Sequence, residues 1–435
     1  MTRSHFNRDD SMDKRTFLKS AGLVGLTAPL AFTHLRSAVA AVEGKDPWQV
    51  AADEEFWRRV RGDYSLKPDY INLENGYYCF MPQETLEHQI QHMRRVHYEG
   101  SYYMRTARQK NKRIVAAKVA QVVGCSPDEV AITRNTTESL DLVIGGLDWK
   151  AGDEAVMAEQ DYEAMLNHFK LVAKRFGVVN RLVSVPNHPQ DDDEIVDLYA
   201  SAITDRTRLL MVCHMINITG QVLPIRKICD MAHRHGVEVL VDGAHCVGHI
   251  GVNLEELDCD YYGSSLHKWL STPLGAGILY VKKERIAQIW PLLAQQHTEP
   301  DDISRLNHIG THPVHTDLAI DAAIDYLEQL GLERKEERLR ELQRYWTGAL
   351  RGAPGVRINT PEEPHRSCGI ANAGIEGLAP GDLAGVLLEE YGIYTVAIDS
   401  AGVKGCRITP NVFTTEAELD RLIAALRALG ERYGP

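Results

Sequence analysis

Apolar positions along the chain switch between two periods. At helical spacing they run through residues 48–60, 82–100 and 105–123, which predicts helices there. From residue 129 the pattern changes. Short β-branched runs at 129–133, 155–158, 179–185, 208–213, 237–241, 261–263 and 277–281 alternate with helical stretches at 139–145, 165–176, 194–203 and 225–235. Such alternation predicts a mostly parallel sheet covered by helices on both faces. A loop-like tract at 295–316 follows, then a helical stretch over 316–350 interrupted near Gly331. After Arg351-Gly352-Ala353-Pro354-Gly355 comes a smaller unit: strands at 356–358 and 369–373, a helix at 380–391, strands at 394–398 and 406–409, and a helix at 415–432. The expected fold class is therefore α/β. It divides into an N-terminal helical segment and site-entrance loop (41–100), a large α/β domain (101–315), connecting helices (316–350) and a small C-terminal α+β domain (351–435). Ligands favour the boundary between two such domains.

Residues 1–40 read as an export signal to be left out of the fold. Lys14, Arg15 and Lys19 precede an apolar run over 21–32, and Ala38-Val39-Ala40 has the small-x-small form of a cleavage site. The run is too short to anchor the chain across a bilayer, and no later segment is apolar enough to span one. Lys14-Arg15-Thr16-Phe17-Leu18-Lys19 resembles a twin-arginine signal with Lys in place of the first Arg. The expected location is periplasmic or otherwise exported; the twin-arginine and general secretory routes both stay open.

Composition narrows the class. The chain has 435 residues, 44% hydrophobic and 25% charged, as globular proteins do. With 48 Lys+Arg against 60 Asp+Glu the net charge is −12, which argues against a nucleic-acid partner. Eight cysteines are scattered without a C-x-x-C pair, so neither a zinc knuckle nor a redox motif is read, and their pairing stays open. His308, His312 and His315 invite a metal reading, but Pro313 breaks any regular helical face and no Cys or Asp is suitably spaced; no metal is expected.

The most informative segment is Tyr261-Tyr262-Gly263-Ser264-Ser265-Leu266-His267-Lys268-Trp269, where a strand ends in small residues and presents a His-Lys pair. Upstream, Val239-Leu240-Val241-Asp242-Gly243-Ala244-His245 delivers an acid at the carboxyl end of an apolar strand, where α/β sheets bind ligands. A pyridoxal phosphate enzyme needs both: a lysine to form an imine with the cofactor aldehyde, and an acid to keep the pyridine nitrogen protonated. Taken singly, a strand-ending Asp is more often a turn or cap residue and a loop lysine is usually solvated. Their order and company carry the reading.

These residues resemble the class V aminotransferase family of fold type I pyridoxal phosphate enzymes, in its isopenicillin N epimerase-like and cysteine desulfurase-like branch. The resemblance runs from about residue 70 to the end. It implies pyridoxal 5′-phosphate as cofactor, a large cofactor-binding domain with a smaller C-terminal one, and Lys268 as the catalytic lysine. Asn135-Thr136-Thr137-Glu138 matches the family's phosphate loop; a helix start favours an anion, and Thr136 and Thr137 add hydroxyls. The same four residues also read as an ordinary capping box. The resemblance places Tyr162 on the cofactor ring, Asn217 and His245 on the phenolic side, Asp242 on the pyridine nitrogen, and Ser265 and His267 at the phosphate. Gly310-Thr311 matches a pair that reaches the neighbouring subunit's phosphate, which implies a homodimer with shared active sites. Arg407 matches the family's substrate arginine, suited to an α-carboxylate. Asn72-Leu73-Glu74-Asn75-Gly76-Tyr77-Tyr78 resembles the segment lining the site entrance, with Asn75 and Tyr78 as candidate substrate contacts.

The lysine chemistry is shared by transamination, racemisation, elimination and C–S cleavage. Cys406 directly precedes Arg407, and adjacent strand residues face opposite ways, so a persulfide role for it is disfavoured. Tyr162 on the face opposite Lys268 leaves little room for a second base and disfavours epimerisation. The expected activity is aminotransferase-type chemistry on an amino acid, or on an amino-acid-bearing small peptide or siderophore precursor. A β-lyase, an epimerase and a cofactor-binding protein without turnover are the alternatives. A nucleotide-dependent oxidoreductase would need G-x-G-x-x-G after the first strand, which is missing there.

Overall fold

The computed structural model describes residues 32–293 and 299–434. Thirteen strands follow the chain: β1 (Ile71–Asn72), β2 (Val130–Thr133), β3 (Glu154–Ala158), β4 (Val179–Val183), β5 (Thr207–Cys213), β6 (Glu238–Asp242), β7 (Tyr261–Ser265), β8 (Gly277–Val281), β9 (Val356–Ile358), β10 (Ala371–Ile375), β11 (Ile393–Tyr394), β12 (Val396–Ser400) and β13 (Val403–Ile408). Seven of them form one sheet in the order β2-β8-β7-β6-β5-β3-β4. Its β4-β3-β5-β6-β7 portion is parallel, and β8 runs antiparallel to both β7 and β2. Alternate residues of these strands enter separate cores. Val156, Leu210, Val239 and Val241 pack on one side, while Met157, Leu209, Met211 and Leu240 pack on the other. Burial on both faces is why these strands read as continuous apolar runs.

The predicted helices are present, with two splits. The stretch at 48–60 becomes Pro47–Ala51 and Glu54–Arg61, because Asp53 caps the second piece through its bond from Phe56 N–H. The stretch at 105–123 begins earlier and breaks at Ala107 into Ser101–Thr106 and Arg108–Val123. The long stretch breaks at Gly331, whose φ of 86° suits glycine, into Val314–Leu330 and Leu332–Leu350. The C-terminal unit is a four-stranded antiparallel sheet, β12-β13-β10-β9, backed by the helices Pro380–Tyr391 and Glu416–Tyr433. Its core includes Cys406, Ile408, Leu383 and Leu422. The two-residue strand β1 pairs with β11, so the N-terminal segment is tied to the C-terminal domain.

The expected export signal falls mostly outside the described residues. Its last part does not separate from the fold: Thr33–Ala40 is a helix, and Phe32, Leu35 and Ala38 are buried in the same core as the sheet. Phe32 meets Tyr326 edge-on at 5.1 Å between ring centroids. The boundary drawn at Ala40 falls at the end of this helix, and the helix itself is part of the packed core. No described helix is long and apolar enough to cross a membrane.

Candidate active site

A cavity of about 460 Å³ opens at the carboxyl ends of β5, β6 and β7. Loops after parallel strands gather there, which is where such sheets bind ligands. Lys268, Asp242, His245, Ser265, His267, Thr136, Thr137, Tyr162, Asn217 and Arg407 all line it. Residues up to 271 positions apart in the chain, from Thr136 to Arg407, are thereby brought together.

Each arrives for a local reason. Asn135 caps the helix Thr136–Gly146 by accepting from Glu138 N–H at 2.8 Å. The helix start, with Thr136 and Thr137, lies on the cavity wall, and a helix N-terminus favours an anion. Thr136 N–H donates to Ser265 Oγ at 2.9 Å, and the two hydroxyls lie 2.7 Å apart. This couples the helix start to the end of β7. Tyr162 sits at the N-cap of Glu163–Phe176, half exposed on the cavity wall. Asp161 steadies that turn by accepting from Ala158 N–H, and burial pushes its carboxyl up to about 7. Asn217 lies on the turn after β5. Gly220 closes that turn at φ 78°, where a Cβ would fall 2.0 Å from the Ile370 carbonyl oxygen.

Asp242 ends β6 and is buried, accepting from Ala244 N–H at 3.0 Å. Burial raises its pKa against the opposing pull of Lys268. Lys268 is pushed down to about 8, mainly by burial and further by Arg407, while Asp242 opposes. Its Nζ lies 3.0 Å from His245 Nε2. Burial holds His245 well below the ordinary histidine range and brings His267 down to about 4. Both rings are neutral at neutral pH. His267 donates from Nδ1 to the Ala276 carbonyl at 3.3 Å, which leaves Nε2 free to accept.

The far end of the cavity holds a feature that the sequence reading missed. Arg407, on β13, is buried beside Glu74: its Nη2 lies 2.5 Å from Glu74 Oε1 and its Nε 3.3 Å from Oε2. Glu74 thus occupies the side-on edge of the guanidinium. Nη1 donates to the Asn217 carbonyl at 3.3 Å, and Arg407 lines the cavity. Gly76 makes the approach possible, since a Cβ there would lie 2.7 Å from Arg407 Cζ. Only the quoted segment around Glu74 could have signalled this pair.

Two expected contacts are placed elsewhere. Asn75 is fully buried and turned away: its Nδ2 donates to the Thr409 carbonyl at 2.7 Å and its N–H to Thr409 Oγ1 at 2.6 Å. It ties the N-terminal segment to the C-terminal domain and does not line the cavity. Tyr78 is absent from the wall as well; Gly76 and the exposed Tyr77 are there instead, because the segment turns at these residues. Thr311, expected at the neighbouring subunit's phosphate, is exposed and does not line this chain's own cavity, while its neighbour His312 bonds Asp317 at 2.9 Å. Among the described residues no cluster of His, Cys, Asp and Glu could hold a metal. Cys406 packs in the C-terminal core, away from Arg407's face, and Cys213 is the cavity-lining cysteine among the described residues.

A sequence model of aminotransferase class-V matches residues 82–422. The chain belongs to that family. Its relatives include isopenicillin N epimerase of Streptomyces clavuligerus, 29% identical over 86% of this chain and 98% of the relative. The isopenicillin N epimerase of Amycolatopsis lactamdurans is 30% identical over 86% and 99%. A cysteine desulfurase of Cronobacter sakazakii is 28% identical over 85% and 97%. Solved structures agree on the fold. The apo cysteine desulfurase of Thermococcus onnurineus superposes with a TM-score of 0.76 at 22% identity, covering 86% of this chain and 98% of that one. A cystine C–S lyase in complex with cysteine persulfide gives 0.75 at 24%, covering 84% and 98%. The cofactor of the class V enzymes is pyridoxal 5′-phosphate, and the cavity suits it: a helix start with hydroxyl donors for a phosphate, a buried acid for a pyridinium, and a lysine amine between them.

Proposed function

We propose that this pyridoxal phosphate enzyme carries out aminotransferase-type chemistry at the amino group and Cα of an amino acid, or of an amino-acid-bearing small peptide or siderophore precursor. When bound, the cofactor supplies an electron sink that acidifies the bond at Cα. The chain supplies the rest. The helix start at Thr136, with Ser265, holds the phosphate, and Asp242 keeps its charge beside the ring nitrogen. Tyr162 offers a flat face. Arg407 recognises the α-carboxylate. Lys268 moves protons at Cα from one side, as an amine whose affinity for a proton burial has already reduced.

The observation that carries the reading is that one buried, weakly basic lysine and a half-exposed Tyr162 line the same cavity. One mobile base suits transfer or elimination. Likeness to isopenicillin N epimerases keeps epimerisation as the second reading. Incubating the purified protein with amino acids and peptide-borne glutamate separates the outcomes. Keto acid formed with equal aminated acceptor supports transfer. Sulfide or ammonia without an aminated acceptor, or inverted stereochemistry without keto acid, replaces it.

Export and assembly are part of the same proposal. The charged-apolar-small pattern of residues 1–40 supports export with the cofactor already loaded, and recovery only from the cytoplasm of fractionated cells would reject it. The helix Gln83–Glu99 buries only Thr85; Met93 and Tyr98 on it and Tyr102 just after it are exposed, which supports a homodimer covering this face. Sedimentation of the intact protein tests it.

A further inference from the structure

Behind the catalytic lysine, Trp269 donates from Nε1 to His245 Nδ1 at 3.2 Å. An indole N–H is a donor only. His245 Nδ1 therefore carries a lone pair, and the proton of the neutral ring sits on Nε2. That nitrogen lies 3.0 Å from Lys268 Nζ. A ring N–H there can only donate, so Lys268 must accept, and only the uncharged amine has a lone pair for it. The other tautomer would offer Nε2 as an acceptor and would favour the ammonium.

The lock is itself held in place. Trp269 stacks on His249 with centroids 3.7 Å apart and planes 25° apart. Gly369 N–H donates to His249 Nε2 at 2.8 Å, so His249 carries its proton on Nδ1 and donates to the His245 carbonyl at 2.8 Å. Lys335 donates to the Trp269 carbonyl. Two histidines four residues apart thus hold opposite tautomers, each dictated by a donor-only partner. Trp269 and His249 are fully buried and His245 nearly so, so water cannot replace these partners.

We infer that Trp269 is a positioning residue. It fixes His245 as the Nε2–H tautomer, and His245 in turn favours the free-base, nucleophilic form of the Lys268 amine. His249 and Gly369, which precedes β10, anchor the arrangement from behind. The inference rests on Lys268 being the cofactor lysine. The ionisable groups facing the pair are Asp242, Arg407, Cys79, Cys213, His249 and His267. None of them is altered by changing Trp269.

Two measurements test it. In the wild-type holoenzyme with ¹⁵N-labelled histidine, long-range proton–nitrogen correlation spectra report each ring's tautomer. His245, assigned by its loss in His245→Gln, is expected as Nε2–H and His249 as Nδ1–H. Finding His245 as Nδ1–H overturns the inference whatever any variant does. The second measurement follows the visible absorbance of the bound cofactor against pH. Removing the indole N–H in Trp269→Phe lets the ring turn acceptor toward the lysine nitrogen, which stabilises the protonated form. The midpoint should rise by about one pH unit, a tenfold change. An unmoved midpoint in a folded, cofactor-loaded Trp269→Phe overturns the role of Trp269. Should that variant not fold, the wild-type spectrum still decides. Borohydride reduction and peptide mapping fail separately: an adduct missing from Lys268 rejects the lysine assignment without touching the tautomers.

Discussion

At one end of the cavity Ser265, His267 and Lys268 come from a single strand and its turn, and Asp242 and His245 come from the strand beside it, paired in parallel register. At the other end Glu74, Asn217 and Arg407 come from an N-terminal segment, a sheet loop and the C-terminal domain; Glu74 and Arg407 are 333 residues apart. The lysine end is rigid and internal to one domain. The arginine end exists only when two domains and the N-terminal segment meet. On the proposed function, the lysine chemistry belongs to the first, and selectivity, which must vary among enzymes of one fold, belongs to the second, where substitutions do not disturb the sheet.

Four experiments probe that division, the largest effect first. Lys268→Ala should remove the covalently held cofactor and lower turnover by at least about 10³-fold, read by peptide mapping and by rate. Arg407→Ala should leave the cofactor's absorbance unchanged while raising KM for an α-carboxylate substrate on the order of 10²-fold, because a buried charge pair loses one partner. Unchanged KM would show that recognition lies elsewhere. Glu74→Gln acts in the opposite direction. It removes a carboxylate that already neutralises Arg407, so α-carboxylate ligands should bind on the order of 10-fold tighter in a spectral titration. Weaker binding would mean that Glu74 serves only to hold the guanidinium.

The smallest effect is on stability. Lys268 has its folded pKa depressed to about 8 against a model value of 10.5. Between these pH values the unfolded chain holds the extra proton, so the cofactor-free protein gains stability as pH rises from 8 to 10.5. Below 8 both states are protonated and the penalty is constant. The slope is at most about 1.4 kcal/mol per pH unit from this group. Lys335, pushed down to about 8 by burial, adds a parallel slope. Lys268→Met should therefore flatten the urea midpoint's rise over this range by about half, and an unaltered rise would deny that the lysine is buried as an amine.

The lysine end was legible because its residues lie in contiguous stretches. A strand that ends in Asp242, another that ends in Ser265 and a cap at Asn135 each combine an apolar run with a polar terminus, and the order of such pieces carries the family likeness. Strand and helix positions were equally readable, since burial on both sheet faces leaves unbroken apolar runs. Misplacements occurred where a contact is long-range. Asn75 and Tyr78 were assigned to the site by their segment, but the bonds from Asn75 to Thr409 set the segment's rotation and expose Gly76 and Tyr77 instead. The small-x-small pattern at Ala38-Val39-Ala40 likewise says nothing about whether Leu35 finds a core to enter.

The linear order of residues was enough for the class of fold and the cofactor, and it nominated Lys268, Asp242 and Arg407, which the fold gathers in one cavity, because these follow from local patterning and from residue types joined by short turns. Tertiary structure alone decided that Arg407 shares its charge with Glu74, that Trp269 Nε1 meets His245 Nδ1, and that the helix Thr33–Ala40 enters the core. Hydrogen bonds and ion pairs depend on distances of about 3 Å, and no local pattern encodes such a distance between segments that only folding brings together.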